Sequence, residues 1–107
     1  MNYSIIYSPE SLNDIRSIYS YIAFSLKAPD TAKNQIDRIR DAIKNLNFSP
    51  EAYIQVEWEP WRSMGMRKLP VNNYLVFYNV NHEELTISIV RIMYAGRDVK
   101  SIIRNEM

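Results

Sequence analysis

The chain has no cysteine, one histidine and two glycines in 107 residues. Without cysteine there can be no disulfide and no thiolate chemistry, and the composition fits a reducing compartment. A single histidine, His82, makes a zinc site unexpected, because such sites draw on several His or Cys ligands. The opening MNYSIIYSPE has neither a basic n-region nor a long apolar core, so no signal peptide is expected. Long apolar runs are also lacking: none approaches the roughly 18 residues that a membrane helix needs. The expectation is one cytoplasmic domain over residues 1–107, with no cofactor, no metal and no membrane contact.

Carboxylates are missing from one stretch in particular. Between Trp61 and His82 there is none, yet Arg62, Arg67 and Lys68 lie there. Residues 1–60 hold six Lys/Arg against eight Asp/Glu, whereas residues 61–107 hold seven against four. A net charge of +1 therefore hides a basic second half, the kind of footprint that can meet phosphates or serve as a solvated face. Apolar residues make up 47% and charged residues 23%, which argues for a folded globule over a disordered chain.

The apolar pattern changes period along the chain. Residues 2–7 alternate as a short strand. Ser8-Pro9-Glu10 then suits a helix start: a capping hydroxyl, a proline where no N–H is needed, and an acid near the positive helix end. Leu12, Ile15, Ile18, Tyr19 and Ile22 mark one face of that helix, which Pro29 is expected to stop. A second helix from about Asp30 carries Ala32, Ile36, Ile39, Ile43 and Leu46 at alternating steps of four and three. After Pro50 the period falls to two. Strands are expected over residues 53–57, 64–71, 74–80 and 85–94, with Asn72-Asn73 as a tight turn and a helical tail in VKSIIRNEM. This order predicts an α+β fold, in which an antiparallel helical hairpin covers one face of a mainly antiparallel sheet of about four strands. The other face is expected to be open.

That open face is where the pattern places chemistry. Both glycines adjoin cations, in RSMGMRK and in GRD. If the turn at Asn72-Asn73 folds residues 64–71 onto 74–80, then Arg67 and Lys68 approach Arg91 and Arg97, with Tyr94 among them. Arginine offers a planar fork to phosphate oxygens and lysine a point charge. Metal-independent RNA cleavage by the ribose 2′-hydroxyl needs a base, an acid and cations around the phosphorane, so these residues form a candidate set. Each also has a plain alternative. Arg91 could pair with Asp98 or another carboxylate, Arg97-Asp98 could open a helix, and Trp58 and Trp61 could pack or stack.

Four stretches together carry a resemblance: SIIYSPESLNDIRSIYSYIA, LNFSP, MRKLPVNNYLVFYNV and IVRIMYAGRD. In order and spacing they are similar to the RelE/ParE superfamily of bacterial toxins from type II toxin–antitoxin systems. The resemblance implies a toxin neutralised by a cognate antitoxin that wraps it and covers its basic face. RelE-like members cleave messenger RNA on the ribosome, whereas ParE-like members share the fold and poison DNA gyrase. For the nuclease, it implies catalytic roles for Arg97, Tyr94 and Lys68 and RNA-phosphate contacts from Arg67, Arg91 and Arg62. Nucleases of this kind carry two lysines one residue apart, and here Met66 stands at the first position and Lys68 at the second. They carry an arginine where Leu75 follows Tyr74, and a tyrosine in the tail that this chain lacks. The expected activity is ribosome-dependent messenger RNA cleavage, with gyrase inhibition without nuclease activity, or a degenerate member that only binds antitoxin, as the alternative.

Overall fold

A computed structural model describes residues 2–106. Strand β1, Ser4–Tyr7, leads into helix α1, Pro9–Ser20. The predicted cap is present: the Ser8 hydroxyl accepts from the Ser11 amide at 2.9 Å and donates to the Val90 carbonyl at 2.8 Å. One side chain thus starts the helix and ties it to the sheet. After Ser20 the chain widens into a π-helical turn, Tyr21–Ser25, and Lys27 adopts φ 54°. That break, rather than Pro29, ends the first helix. Pro29 is instead the first residue of α2, Pro29–Asn45, where its missing N–H costs nothing.

Strands β2 (Arg67–Val71), β3 (Tyr74–Asn81) and β4 (Thr86–Tyr94) follow, and α3, Val99–Glu106, closes the chain. The sheet order is β1-β4-β3-β2. The two hairpin pairings are antiparallel, but β1 runs parallel to β4, so the sheet is mixed. Parallel pairing follows from the long helical connection, which returns the chain to the sheet in the same direction. Residues 53–57 do not form the expected strand. Only Gln55 bridges to Arg67, because the chain turns away at Trp58 while Val56 points into a core. The strand expected from residue 64 begins at Arg67, since Gly65 holds φ 71° in the preceding turn.

Two cores lie on opposite faces of the sheet. Ile15, Ile39, Ile43 and Leu46 from the helices meet Leu69, Val76, Tyr78, Ile87, Ile89 and Ile92 from the strands. The α2 stripe read from the sequence is therefore core, and Ala32, Ile39 and Ile43 are fully buried. The second face is not open as expected. Val56, Trp61 and Met66 from the loop and Val99 and Ile103 from α3 cover Phe77 and Met93 there. Trp58 stacks on Trp61 at 5.0 Å between ring centroids, and Trp61 meets Phe77 at 4.7 Å. Both tryptophans are thus packing residues. No helix among the described residues is long and apolar enough to cross a membrane.

Candidate functional site

The candidate residues do not converge on one surface. Lys68 lies opposite Phe77, which lies opposite Arg91, so one row crosses three strands. Arg67, next to Lys68, turns away from that row. Its guanidinium donates to the carbonyls of Tyr53 and Glu51 at 2.7 and 3.2 Å and approaches the Glu51 carboxylate at 3.4 Å. Glu51 also meets the His82 ring at 3.0 Å, and the other nitrogen of that ring is 2.9 Å from the Tyr3 hydroxyl. Arg67 therefore anchors the loop that follows α2. Arg62 sits in the turn before Gly65 and shares a shallow depression of about 710 Å³ with Arg67, Gln55 and Glu57.

Arg91 is held by a carboxylate that the sequence reading did not single out. Its Nε and Nη2 donate to Asp14 at 2.9 and 3.1 Å, and Asp14 also accepts from the Ile92 amide at 2.9 Å. The reason is topological. Strand β1 stops at Tyr7, leaving the last part of β4 without a strand on that side. Ser8 and Asp14 of the α1 region supply the missing backbone partners there. The paired carboxylate foreseen for Arg91 exists, but it is Asp14 and not Asp98. Its only signal in the sequence is its place beside Ile15 on the inward stripe of α1.

Tyr94 and Arg97 do share a site. Beyond the hairpin turn, where Asn72 holds φ 53°, the Ala95 amide bonds to the Asn73 carbonyl at 2.8 Å. The rings of Tyr74 and Tyr94 meet edge to face at 5.9 Å. A methyl group on Gly96 would collide with the Tyr94 ring, so this glycine gives the ring its place. Together with Asp14, Tyr21, Leu26 and Gln35, these residues line a cleft of about 730 Å³ between the helical hairpin and the sheet. Burial, with Tyr21 and Tyr94 beside it, pushes the Tyr74 hydroxyl above its ordinary value. It stays neutral at physiological pH. Among the described residues the Arg97 guanidinium has no hydrogen-bond or ion-pair partner, and it is exposed. The cleft thus offers one available cation, phenol hydroxyls and apolar walls. Its one carboxylate, Asp14, is already occupied. No cluster of His, Cys, Asp or Glu suited to a metal is found among the described residues.

A helical hairpin and a third helix on opposite faces of a mixed four-stranded sheet define an architecture shared with bacterial toxins. The chain superposes on a chain of the chromosomal ParDE toxin–antitoxin system from P. aeruginosa with a TM-score of 0.71, at 20% identity, over 86% of this chain and 95% of that one. It matches a double mutant of the E. coli toxin RelE in the free state with a TM-score of 0.66, at 16% identity, over 100% and 99%. A chain of the archaeal RelE–RelB complex from Pyrococcus horikoshii OT3 gives 0.62, at 19% identity, over 91% and 99%. At these identities the likeness concerns the fold. Residues 5–99 match the family described as ParE toxin of type II toxin–antitoxin system, parDE, and the chain belongs to that family. An uncharacterised protein of Acanthamoeba polyphaga mimivirus is 31% identical over 80 residues, which is 71% of this chain and 27% of that much longer relative.

Proposed function

We propose that this chain is the toxin of a toxin–antitoxin pair, is neutralised by a cognate antitoxin, and acts by binding DNA gyrase rather than by cutting RNA. One observation carries the choice of target. The positions that nuclease members fill with lysine and arginine are here Met66 and Leu75, and both pack in the second core with Phe77, Met93, Val99 and Ile103. Met66 is fully buried. Restoring a cation at Met66 would place a desolvated charge among apolar groups, which counts against a phosphate site at that position. Arg67 and Arg91 are held by Glu51 and Asp14, which also removes them as ready phosphate ligands.

Ribosome-dependent messenger RNA cleavage is the second reading, favoured by the shared cleft of Tyr94 and Arg97 and by the retained Lys68. It would need a base, and the cleft carboxylate is occupied. Controlled expression separates the readings. DNA synthesis is expected to stop before protein synthesis, and the purified protein should inhibit gyrase supercoiling while leaving ribosome-bound messenger RNA intact. RNA cut at the ribosomal A site with normal supercoiling would reverse the assignment. Growth unaffected by abundant folded protein would leave only an antitoxin-binding module. Arg97→Ala is expected to stay folded and lose toxicity, because among the described residues the exposed side chain has no hydrogen bond or ion pair to lose. A fully toxic variant would take Arg97 out of the site.

A further inference from the structure

Strand β1 forms one end of the sheet. In its parallel pairing with β4, the Ser4 and Ser8 amides bond to the Leu85 and Ile89 carbonyls at 2.8 and 2.9 Å. Backbone groups alternate sides along a strand, so the N–H and C=O of Ile5 and Tyr7 point away from β4. Among the described residues nothing bonds to them there. Only the start of this edge is covered, where Asn47 Oδ1 accepts from the Tyr3 amide at 2.7 Å. A bare strand edge is a template for a further strand. Beside it runs one flank of α2. Ile5, Tyr7, Asp37, Arg40, Asp41 and Lys44 line a groove of about 630 Å³, and the Arg40 guanidinium lies 5.4 Å from the centre of the Tyr7 ring. The four charged side chains are exposed, and their order is self-complementary. Read outward from the midpoint between residues 40 and 41, Arg40 mirrors Asp41 and Asp37 mirrors Lys44. A helix laid antiparallel to a copy of itself about that midpoint meets opposite charge at each position. Asp37 bonds Lys33 at 2.8 Å, but that pair is solvent-exposed and contributes little, so it can exchange partners.

We propose that the β1 edge and this α2 flank bind a second copy of the chain, joining two sheets edge to edge around a two-fold axis beside Ile6. Ile5 then exchanges N–H and C=O with Tyr7 of the copy, and Tyr7 does the same with its Ile5. The two Ile6 residues meet as the close, non-hydrogen-bonded pair that antiparallel strands place between such pairs. Ile6 is 51% exposed and packs in neither core, so its copy is the cover it lacks. Because Arg40 lies over Tyr7, the same axis sets the α2 flank against its copy, with acid facing base. One operation thus meets the needs of free backbone groups, an exposed isoleucine and four charges, as an isologous contact must. The groove shares no lining residue with the cleft of Tyr94 and Arg97, so the inference stands apart from the toxin's target.

The test is sedimentation equilibrium of the purified full-length chain from about 1 to 100 μM, the range in which contacts of modest area dissociate. A concentration-dependent dimer is expected, weakening as salt rises. Asp37→Lys with Asp41→Lys makes the flank wholly basic, and Arg40→Glu with Lys44→Glu makes it wholly acidic. Each double variant alone should dimerise at least about tenfold more weakly, whereas a mixture of the two should recover association as a heterodimer. Misfolded variants could not give that recovery. Ile6→Lys should also abolish the dimer, since the axis sets like charges face to face. The Ile5 and Tyr7 amides should gain protection from hydrogen exchange at dimer concentrations. Phe24→Ser is the control: Phe24 is 71% exposed but outside the groove, and its loss should leave the dimer intact. A chain that stays monomeric to about 100 μM overturns the proposal. So does a dimer that persists in both charge variants, or one that Phe24→Ser dissolves. Protection of Ile5 and Tyr7 that appears only on adding antitoxin gives the edge to the antitoxin and overturns it too.

Discussion

Replacing Asp14 by alanine removes three contacts at once: two from the Arg91 guanidinium and one from the Ile92 amide. The pair is sheltered, with 15% of the Arg91 side chain and 12% of the Asp14 side chain exposed. Breaking such a pair by removing one partner costs about 3–5 kcal/mol when the remaining charge is fully buried. Here the guanidinium keeps some solvent, which favours the low end. The orphaned amide adds about 1 kcal/mol. A loss of about 3–4 kcal/mol is therefore expected, which lowers the melting temperature by roughly 15 °C in a domain of this size. The assay is paired thermal and urea unfolding of Asp14→Ala, Arg91→Met and the combination Asp14→Leu with Arg91→Met. The combination should recover most of the loss, since an apolar pair of similar volume replaces an ion pair at little cost. A deficit of about 1 kcal/mol should persist from the unpaired Ile92 amide. Asp14→Ala melting within a few degrees of the wild type would refute the view that this carboxylate joins α1 to β4.

Ser8→Ala should destabilise by about 1–2 kcal/mol in urea unfolding, because the hydroxyl both caps α1 and bonds β4. The Tyr78 hydroxyl, donating to the Pro50 carbonyl at 2.8 Å, is pushed up to about 12, chiefly by burial and against the pull of Arg67. Because the folded value is raised, its contribution to stability is full below about pH 10 and is lost as pH climbs through 12. Tyr78→Phe should flatten that alkaline loss, as read by melts across pH 9–12. Gly96→Ala should displace the Tyr94 ring from Tyr74, seen as lost ring-to-ring NOEs. It should cost less than about 1 kcal/mol, because Tyr94 is half exposed and can swing away.

The helices were legible because their signals are local. The Ser8 cap and the alternating four-and-three spacing of α2 each specify one element from a few neighbouring residues. The π-helical turn was not, since Tyr21–Ser25 differs from an α-helical continuation only in a hydrogen-bond shift that packing selects. Residues 53–57 alternate like a strand, yet a run of that length becomes one only if a neighbour pairs along it, and here the pairing stops at Gln55. In the candidate site, the pairing of Tyr94 with Arg97 came from nearness in the chain. The separation of Arg67 from both did not. Side-chain direction depends on which carbonyls and carboxylates the fold brings close, and Glu51 and Tyr53 arrive from a loop 14 to 16 residues away.

The sequence by itself determined the α+β class, the helical hairpin, the hairpin turn at Asn72 and the family, because periodicity, capping and turn chemistry act over short spans. Only the tertiary structure decided the partners of its charges and the fate of the second sheet face. Asp14 reaches Arg91 across 77 residues of chain because α1 lies where β1 leaves β4 uncovered. Met66 and Leu75 share a core with α3 because the β2–β3 hairpin and the tail meet on one side of the sheet. A one-dimensional pattern states which residues seek burial or charge. Which of them meet is set by the path of the backbone.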